Sequence, residues 1–352
     1  MKYYVQEFQE NEGVQRTAGV KARDDCEAIF VQLGGRPKPI VGRETAELGA
    51  ARKMIEYRRA YSQWKEILLS LEEGDELYIQ FPLIHHTLFL QKLFRRAEKK
   101  GAKIVLLIHD LETLRWIKTA NLSALTRLRI YLEETMALQS ASYVVAHNKQ
   151  MIRCLTEMGI PREKLIDLEI FDYLTQDRFT KKDRRITEPV IIAGTLRPHK
   201  AGYAYALPPD VRFNLYGVGY EGASDERIRY FGSFPPDDLP AVLDGSFGLV
   251  WDGDSAETCS GAYGDYLRIN NPHKTSLYLA AGIPVIVWTG SALAEFVRKH
   301  ECGIAVDSLC ELSERIAEMS ETEYDSIRRQ AEAVGEKLRR GYFTKKALAQ
   351  IR

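Results

Sequence analysis

The feature that most constrains this chain is a set of short runs that are apolar at nearly every position: KIVLLIHD (103–110), SYVVAHN (142–148), VIIAG (190–194), FGLVWDG (247–253) and IPVIVW (283–288). A strand with one wet face alternates apolar and polar residues. These runs do not alternate, so they belong in sheets covered on both faces, the parallel kind. Helix-like stretches separate them, among them 48–71, LFLQKLFRRAEKKG, LSALTRLRIYLEETMALQSA, KQMIRCLTEMG and SALAEFVRKHE. Strand and helix in alternation predict an α/β fold with parallel sheets.

The alternation breaks once. LTQDRFTKKDRRITEP (174–189) is polar and charged and has no period, so Gln176–Thr187 reads as a linker. The expected halves are 1–175 and 188–335, two facing Rossmann-like domains, with the helical tail 336–352 crossing back onto the first. A chain of 352 residues can build both cores. The 49 basic and 49 acidic side chains cancel, so no global field recruits nucleic acid. Five scattered cysteines form no C-x-x-C, which indicates neither a disulfide framework nor a zinc site and fits a reducing cytoplasm. The opening MKYYVQEFQENEG has no apolar core of a signal peptide, and no run is long enough to span a bilayer. The expectation is a soluble cytoplasmic protein.

The candidate site starts at INNPHKTSLYLAAGIPVIVW (269–288). Asn271 reads as the helix cap and Pro272 as its first residue, with Gly282 as terminator. Lys274 then stands in the first turn, where the helix dipole favours anions. That sign suits a diphosphate lying between the lysine and the free backbone N–H groups. Ligands of open parallel sheets bind beyond the carboxyl ends of the strands. There, VIIAG is followed by TLRPHK, offering Gly194, Thr195 and Lys200 for phosphate. FNLYGVG ends on Tyr216 and Gly217, a ring and a close-approaching backbone for a nucleobase. Asn270, Asn271 and Lys274 complete a nucleotide-diphosphate site. Asp252-Gly253-Asp254 has the look of a metal-binding D-x-D, but the two lysines already supply positive charge, and no metal is expected.

In the first half, the loop QENEGVQRTAGVKARDD leads to a helix at CEAIFVQLG. Its Thr17, Gly19 and Lys21 are placed to meet the diphosphate from the other side. His109 and Asp110 end a strongly buried strand, where either can accept a proton from an acceptor hydroxyl. His85 and His86, at a helix start after QFP, rank behind them. The helix at 86–103 carries an apolar stripe (Leu88, Leu93, Phe94) beside Lys92, Arg95, Arg96, Lys99 and Lys100, which offers peripheral contact with an anionic membrane.

These stretches resemble a known family. GLVWDG followed by NNPHKTSLYLAAGIPVIVW, with AGVKARDD, LIHDLETLR and AHNKQM, is similar to the bacterial β-galactofuranosyltransferases and related glucosyltransferases, which include the second-step enzyme of serine-rich-repeat adhesins. The resemblance covers nearly the whole chain and implies the GT-B fold. It implies metal-independent, inverting transfer of galactofuranose, glucose or galactose from a UDP-sugar, with no cofactor. It places the donor on Asn271, Lys274, Gly194, Thr195, Tyr216 and Thr17, and leaves the base to the physical choice of Asp110. The expected partners are the UDP-sugar and a saccharide, glycoprotein or lipid-linked glycan acceptor at the inner face of the membrane, in a homo-oligomer without nucleic acid. A UDP-sugar epimerase and a non-catalytic GT-B-like partner subunit are the alternatives; retention of Lys200 and Lys274 argues against the second.

Overall fold

The structure is a computed structural model. It describes all residues save 11–17, 44, 46–47, 117–121 and 176–181, and of residues 18, 19, 50 and 116 the backbone only. The chain forms two compact units, one of residues 1–15, 26–168 and 345–352, the other of 16–25 and 169–344.

Each unit is built on a six-stranded sheet, and all the strand pairs are parallel. The first contains β1 (Lys2–Gln9), β2 (Arg36–Gly42), β3 (Glu76–Phe81), β4 (Lys103–Ile108), β5 (Tyr143–Ala146) and β6 (Leu165–Asp167) in the order β2-β1-β3-β4-β5-β6. The second contains β7 (Val190–Thr195), β8 (Phe213–Val218), β9 (Ile228–Tyr230), β10 (Gly248–Val250), β11 (Val285–Trp288) and β12 (Gly303–Val306) in the order β12-β11-β10-β7-β8-β9. Alternate residues of the second sheet enter different clusters. Ile192, Leu215, Leu249 and Ile286 pack into one, and Ile191, Tyr216, Val250 and Val287 into the other. Both faces are therefore covered, as the unbroken apolar runs require. Each buried aliphatic side chain contributes about 1.5–3 kcal/mol, so a charge at Ile192 would break the sheet.

Local expectations change in four places. The helix predicted from CEAIFVQLG begins earlier, as Ala18–Gln32, so AGVKARDD forms its first turns and not a loop. Lys21 and Asp25 are then i,i+4 partners at 2.6 Å. Helix Leu90–Lys99 buries Leu93 and Phe94, so two of the three side chains of the stripe proposed for a membrane belong to the core, while Leu88 lies half-buried ahead of the helix. His85 and His86 lie in an irregular segment ahead of that helix, not at its start. Within the predicted linker, Arg184 and Ile186 are buried; the Arg184 guanidinium donates to Gly245 O at 2.9 Å and Leu243 O at 3.1 Å, which attaches the chain to the second unit. Gln176 and the residues to 181 lie outside the described residues. Among the described residues no helix is long and apolar enough to cross a membrane.

Candidate functional site

In the second sheet the chain runs outward from β7 through β8 to β9, then returns to the other flank for β10, β11 and β12. The strand order reverses between β7 and β10, where open α/β sheets take ligands beyond the carboxyl ends. These two strands pair only at Gly248 and Ile191. Beyond that pair the Tyr278 hydroxyl enters between them, accepting from Ala193 N–H at 2.7 Å and donating to Leu249 O at 3.3 Å. Helix His273–Ala280 is thereby anchored under the opening, and its N-terminus reaches the end of β10.

Lys274, in the first turn, closes that approach. Its ammonium donates to Asp252 Oδ1 and to Trp251 O, each at 2.8 Å, and the two charged side chains are 15% and 12% exposed. The anion that satisfies this lysine is therefore Asp252, and a diphosphate must compete with it. The same pair occupies the first carboxylate of the D-x-D, and no cluster of three potential ligands for a metal occurs among the described residues. The capping expectation also needs correction. The helix starts at His273 with Pro272 as its N-cap, while the Asn271 amide donates to Glu169 O at 2.8 Å. Asn271 thus ties the helix mouth to a segment 102 residues earlier. Asn270 Oδ1 is buried and accepts no hydrogen bond among the described residues. Leaving such an atom unsatisfied costs about 1–3 kcal/mol.

On the other side of the opening, Gly194 and Gly217 are register partners at the ends of β7 and β8. Their φ angles are +136° and +139°, and a Cβ on Gly217 would stand 1.8 Å from Gly194 O. Only two glycines permit this approach. Above Gly194 a Cβ would meet nothing within 4 Å, so the backbone there faces open space. Thr195 follows, half-buried. Lys200 lies on the short helix Pro198–Ala201, whose Lys200 carbonyl accepts from Gly253 N–H at 3.1 Å. Its ammonium stands 5.6 Å from the Tyr263 ring centre. Gly194, Thr195, Gly217, Lys200, Asn270 and Lys274 thus all lie around the carboxyl ends of β7, β8 and β10.

Tyr216 does not serve as expected. Its ring is 2% exposed, and its hydroxyl accepts from Asp244 N–H at 3.2 Å. Phe231 stacks on it with centroids 4.9 Å apart and planes 7° from parallel, and is itself 45% exposed. The available ring is Phe231, which the sequence reading missed because RIRYFG shows no sign of which aromatic is covered.

Thr17 lies outside the described residues. Lys21 is buried and committed: it donates to Asp25 Oδ1 at 2.6 Å and to Leu174 O at 2.8 Å, and pairs with Asp237 at 2.8 Å. Burial raises the Asp25 carboxyl above its ordinary range, and the Lys21 charge opposes that rise. Beside them the Tyr173 ring stacks on His273 at 5.0 Å, and burial holds His273 down at about 4.

In the first unit His109 and Asp110 do follow β4. His109 Nε2 lies 2.8 Å from Gln80 Oε1. Asp110 Oδ2 pairs with Arg115 at 2.7 Å, and Oδ1 accepts from Leu111 N–H at 2.9 Å. Both carboxylate oxygens are engaged in holding the turn after the strand.

Comparison with known proteins gives a consistent picture. The chain is 35% identical over 348 residues to β-1,6-galactofuranosyltransferase WbbI of Escherichia coli K12, covering 96% of this chain and 95% of the relative. Glucosyltransferase 3 of Streptococcus gordonii is 28% identical over 290 residues, 80% of each chain. Among solved structures, Anabaena HepE in complex with UDP and glucose aligns over 99% of both chains with a TM-score of 0.54 and 14% identity. The lipopolysaccharide outer core galactosyltransferase WaaB, in its apo form, gives 0.57 at 10% identity, over 100% of this chain and 99% of that one. These structures share the fold, which is GT-B. Residues 2–170 match the glucosyltransferase 3-like N-terminal domain and residues 190–351 the glucosyltransferase 3-like C-terminal domain. The chain belongs to the glucosyltransferase 3-like family.

Proposed function

We propose that this protein transfers a hexosyl residue from a UDP-sugar to a hydroxyl of a saccharide or glycoprotein acceptor, with inversion and without a metal. Support comes from relatives matched over 96% and 80% of the chain, which are named a galactofuranosyltransferase and a glucosyltransferase. The observation that carries the donor assignment is Lys274, set at a helix mouth beside the reversal of strand order and held there by Asp252.

In this reading the diphosphate lies over Gly194 and Thr195, with Lys200 and Lys274 on its oxygens and the helix N-terminus behind. Lys274 exchanges Asp252 for phosphate as the donor enters. As the bond to the anomeric carbon breaks, these cations and N–H groups stabilise the departing UDP, the task a metal performs elsewhere. Phe231 offers a ring face to the uracil, and Asn270 Oδ1 accepts from a donor hydroxyl. Asp110, whose two carboxylate oxygens are held by Arg115 and Leu111 N–H, is not free for proton removal from the acceptor, which falls to another group.

The test is a panel of UDP-glucose, UDP-galactose and UDP-galactofuranose with saccharide acceptors, run with EDTA and analysed for products. A new glycoside plus UDP in chelator supports the reading. A free, altered sugar nucleotide identifies an epimerase instead, and loss of activity restored by Mn²⁺ returns Asp252 and Asp254 to the role of metal ligands.

A further inference from the structure

The first sheet also reverses its strand order, between β1 and β3. A cavity of about 230 Å³ opens at the carboxyl ends of β2, β1 and β3. Its walls include Gln9, Arg43, Glu56, Tyr57 and His86. An amide, a carboxylate, a guanidinium and an aromatic ring around one small cavity suit a polyhydroxyl ligand, which presents hydroxyl donors and acceptors around a ring with apolar C–H faces.

His86 is the group in this wall that is built to take a proton. Its Nδ1 lies 3.2 Å from Glu133 Oε2. Glu133 is fixed in turn by Arg129, whose NH1 donates to the same oxygen at 2.7 Å and whose NH2 pairs with Glu112 at 2.8 Å. Arg129 NH1 also comes within 3.4 Å of His86 Nδ1, and Tyr57 meets the imidazole edge-on at 6.4 Å. A carboxylate only accepts, so the shorter contact assigns the hydrogen to Nδ1 and leaves the lone pair on Nε2. The side chain is 40% exposed. A base at the wall of a cavity, oriented by a third group, has the arrangement from which general-base chemistry starts. The neighbouring candidates are otherwise engaged: His85 is buried with Nε2 at 2.8 Å from Phe8 O, and Asp110 holds Arg115 and Leu111.

We propose that this cavity receives the acceptor saccharide and that His86 Nε2, oriented by Glu133, removes the proton from the attacking hydroxyl. The inference rests on the transferase reading above. The acceptor O–H bond breaks as its proton passes to Nε2. The oxygen forms the new bond to the anomeric carbon, and the bond from that carbon to the diphosphate leaves its electron pair on UDP. The imidazolium, stabilised by Glu133, then releases its proton to water. The Glu133 hydrogen bond raises the pKa of His86, with the Glu133 and Glu112 charges in support and burial and Arg129 opposing. Arg43 and Glu56 are the charged groups across the cavity. Turnover should therefore increase with pH through the ionisation of this group.

The experiment measures kcat, KM for the acceptor and UDP affinity against pH for wild type, His86→Ala, His86→Gln and Glu133→Gln. Both His86 variants should lose roughly 10²–10⁴-fold in kcat at unchanged UDP affinity. Glu133→Gln should move the ionising limb to lower pH, a response that a merely structural role would not give. Wild-type turnover in a folded His86 variant overturns the proposal, and so does a limb that stays in place in Glu133→Gln. If the wild type transfers sugar from no UDP-sugar at any pH, the transferase reading itself fails and takes this one with it. Failure of the His86 arm alone leaves the transferase reading standing.

Discussion

Replacing Lys274 by alanine tests the donor site most directly. The lysine bridges Asp252 Oδ1 and Trp251 O at 2.8 Å each, so its removal has two consequences. A charge-assisted contact to the diphosphate is lost, worth about 1.5–3 kcal/mol, or roughly tenfold to 150-fold in affinity. In addition Asp252 loses its cation and faces the incoming phosphates. Two unit charges about 4 Å apart repel by about 4 kcal/mol at an effective dielectric constant near 20, so the single variant should lose more than the contact alone. Asp252→Asn should bind UDP at least as tightly as wild type, because the lysine no longer has a competing anion. The double variant should recover part of the loss, giving a non-zero coupling between the two positions. Stability serves as the control. Breaking a fully buried ion pair costs about 3–5 kcal/mol, less here because both side chains keep some exposure, and the double variant should recover part of that as well. Isothermal titration with UDP and a thermal melt read both quantities. A folded Lys274→Ala protein with unchanged UDP affinity, or a double variant showing no coupling, refutes the donor assignment.

Phe231→Ala should weaken UDP by the roughly 1–3 kcal/mol typical of one base stacked on an aromatic ring; equal affinity for UDP in variant and wild type would return the base to another surface. His147 and His273 are both held down to about 4 by burial, from an ordinary value of 6.5. Because the folded pKa lies below the unfolded one, their contribution is complete above about pH 6.5 and is lost as pH falls towards 4, roughly 3 kcal/mol each. Unfolding free energy from urea titrations between pH 7.5 and 4 reads this, and a loss confined to below pH 4 contradicts it.

How much was legible in the sequence depended on whether the determinant was local. Runs such as KIVLLI and VIIAG identify two-sided burial by themselves, and the structure places both in parallel sheets. Gly194, Thr195 and Lys274 could be placed because strand ends and a helix start mark them. The rest required partners far away in the chain. Asn271 has the residue type of a cap, but Glu169, 102 positions earlier, takes its amide. The charge of Lys274 suggested a waiting anion, while Asp252, 22 positions back, already fills that role. His86 looks unremarkable until Glu133, 47 residues on, comes to its Nδ1. Tyr216 and Phe231 are equally aromatic in sequence, and only their packing separates the covered ring from the exposed one. The turns of AGVKARDD did carry a local signal, the i,i+4 spacing of Lys21 and Asp25, obscured by the small and polar residues before them.

The glycine pair at the ends of β7 and β8 bears on how the donor preference of this protein can be changed. Every codon one nucleotide away from glycine that still encodes an amino acid adds a Cβ or keeps glycine. At position 217 that Cβ lands 1.8 Å from a carbonyl oxygen, so mutational drift has no tolerated step there. Position 194 has room overhead, yet a residue at φ +136° is strained whatever its size. Libraries aimed at a new sugar nucleotide should therefore leave both glycines untouched and randomise Thr195, Asn270 and Phe231, the side chains around the backbone that those glycines fix.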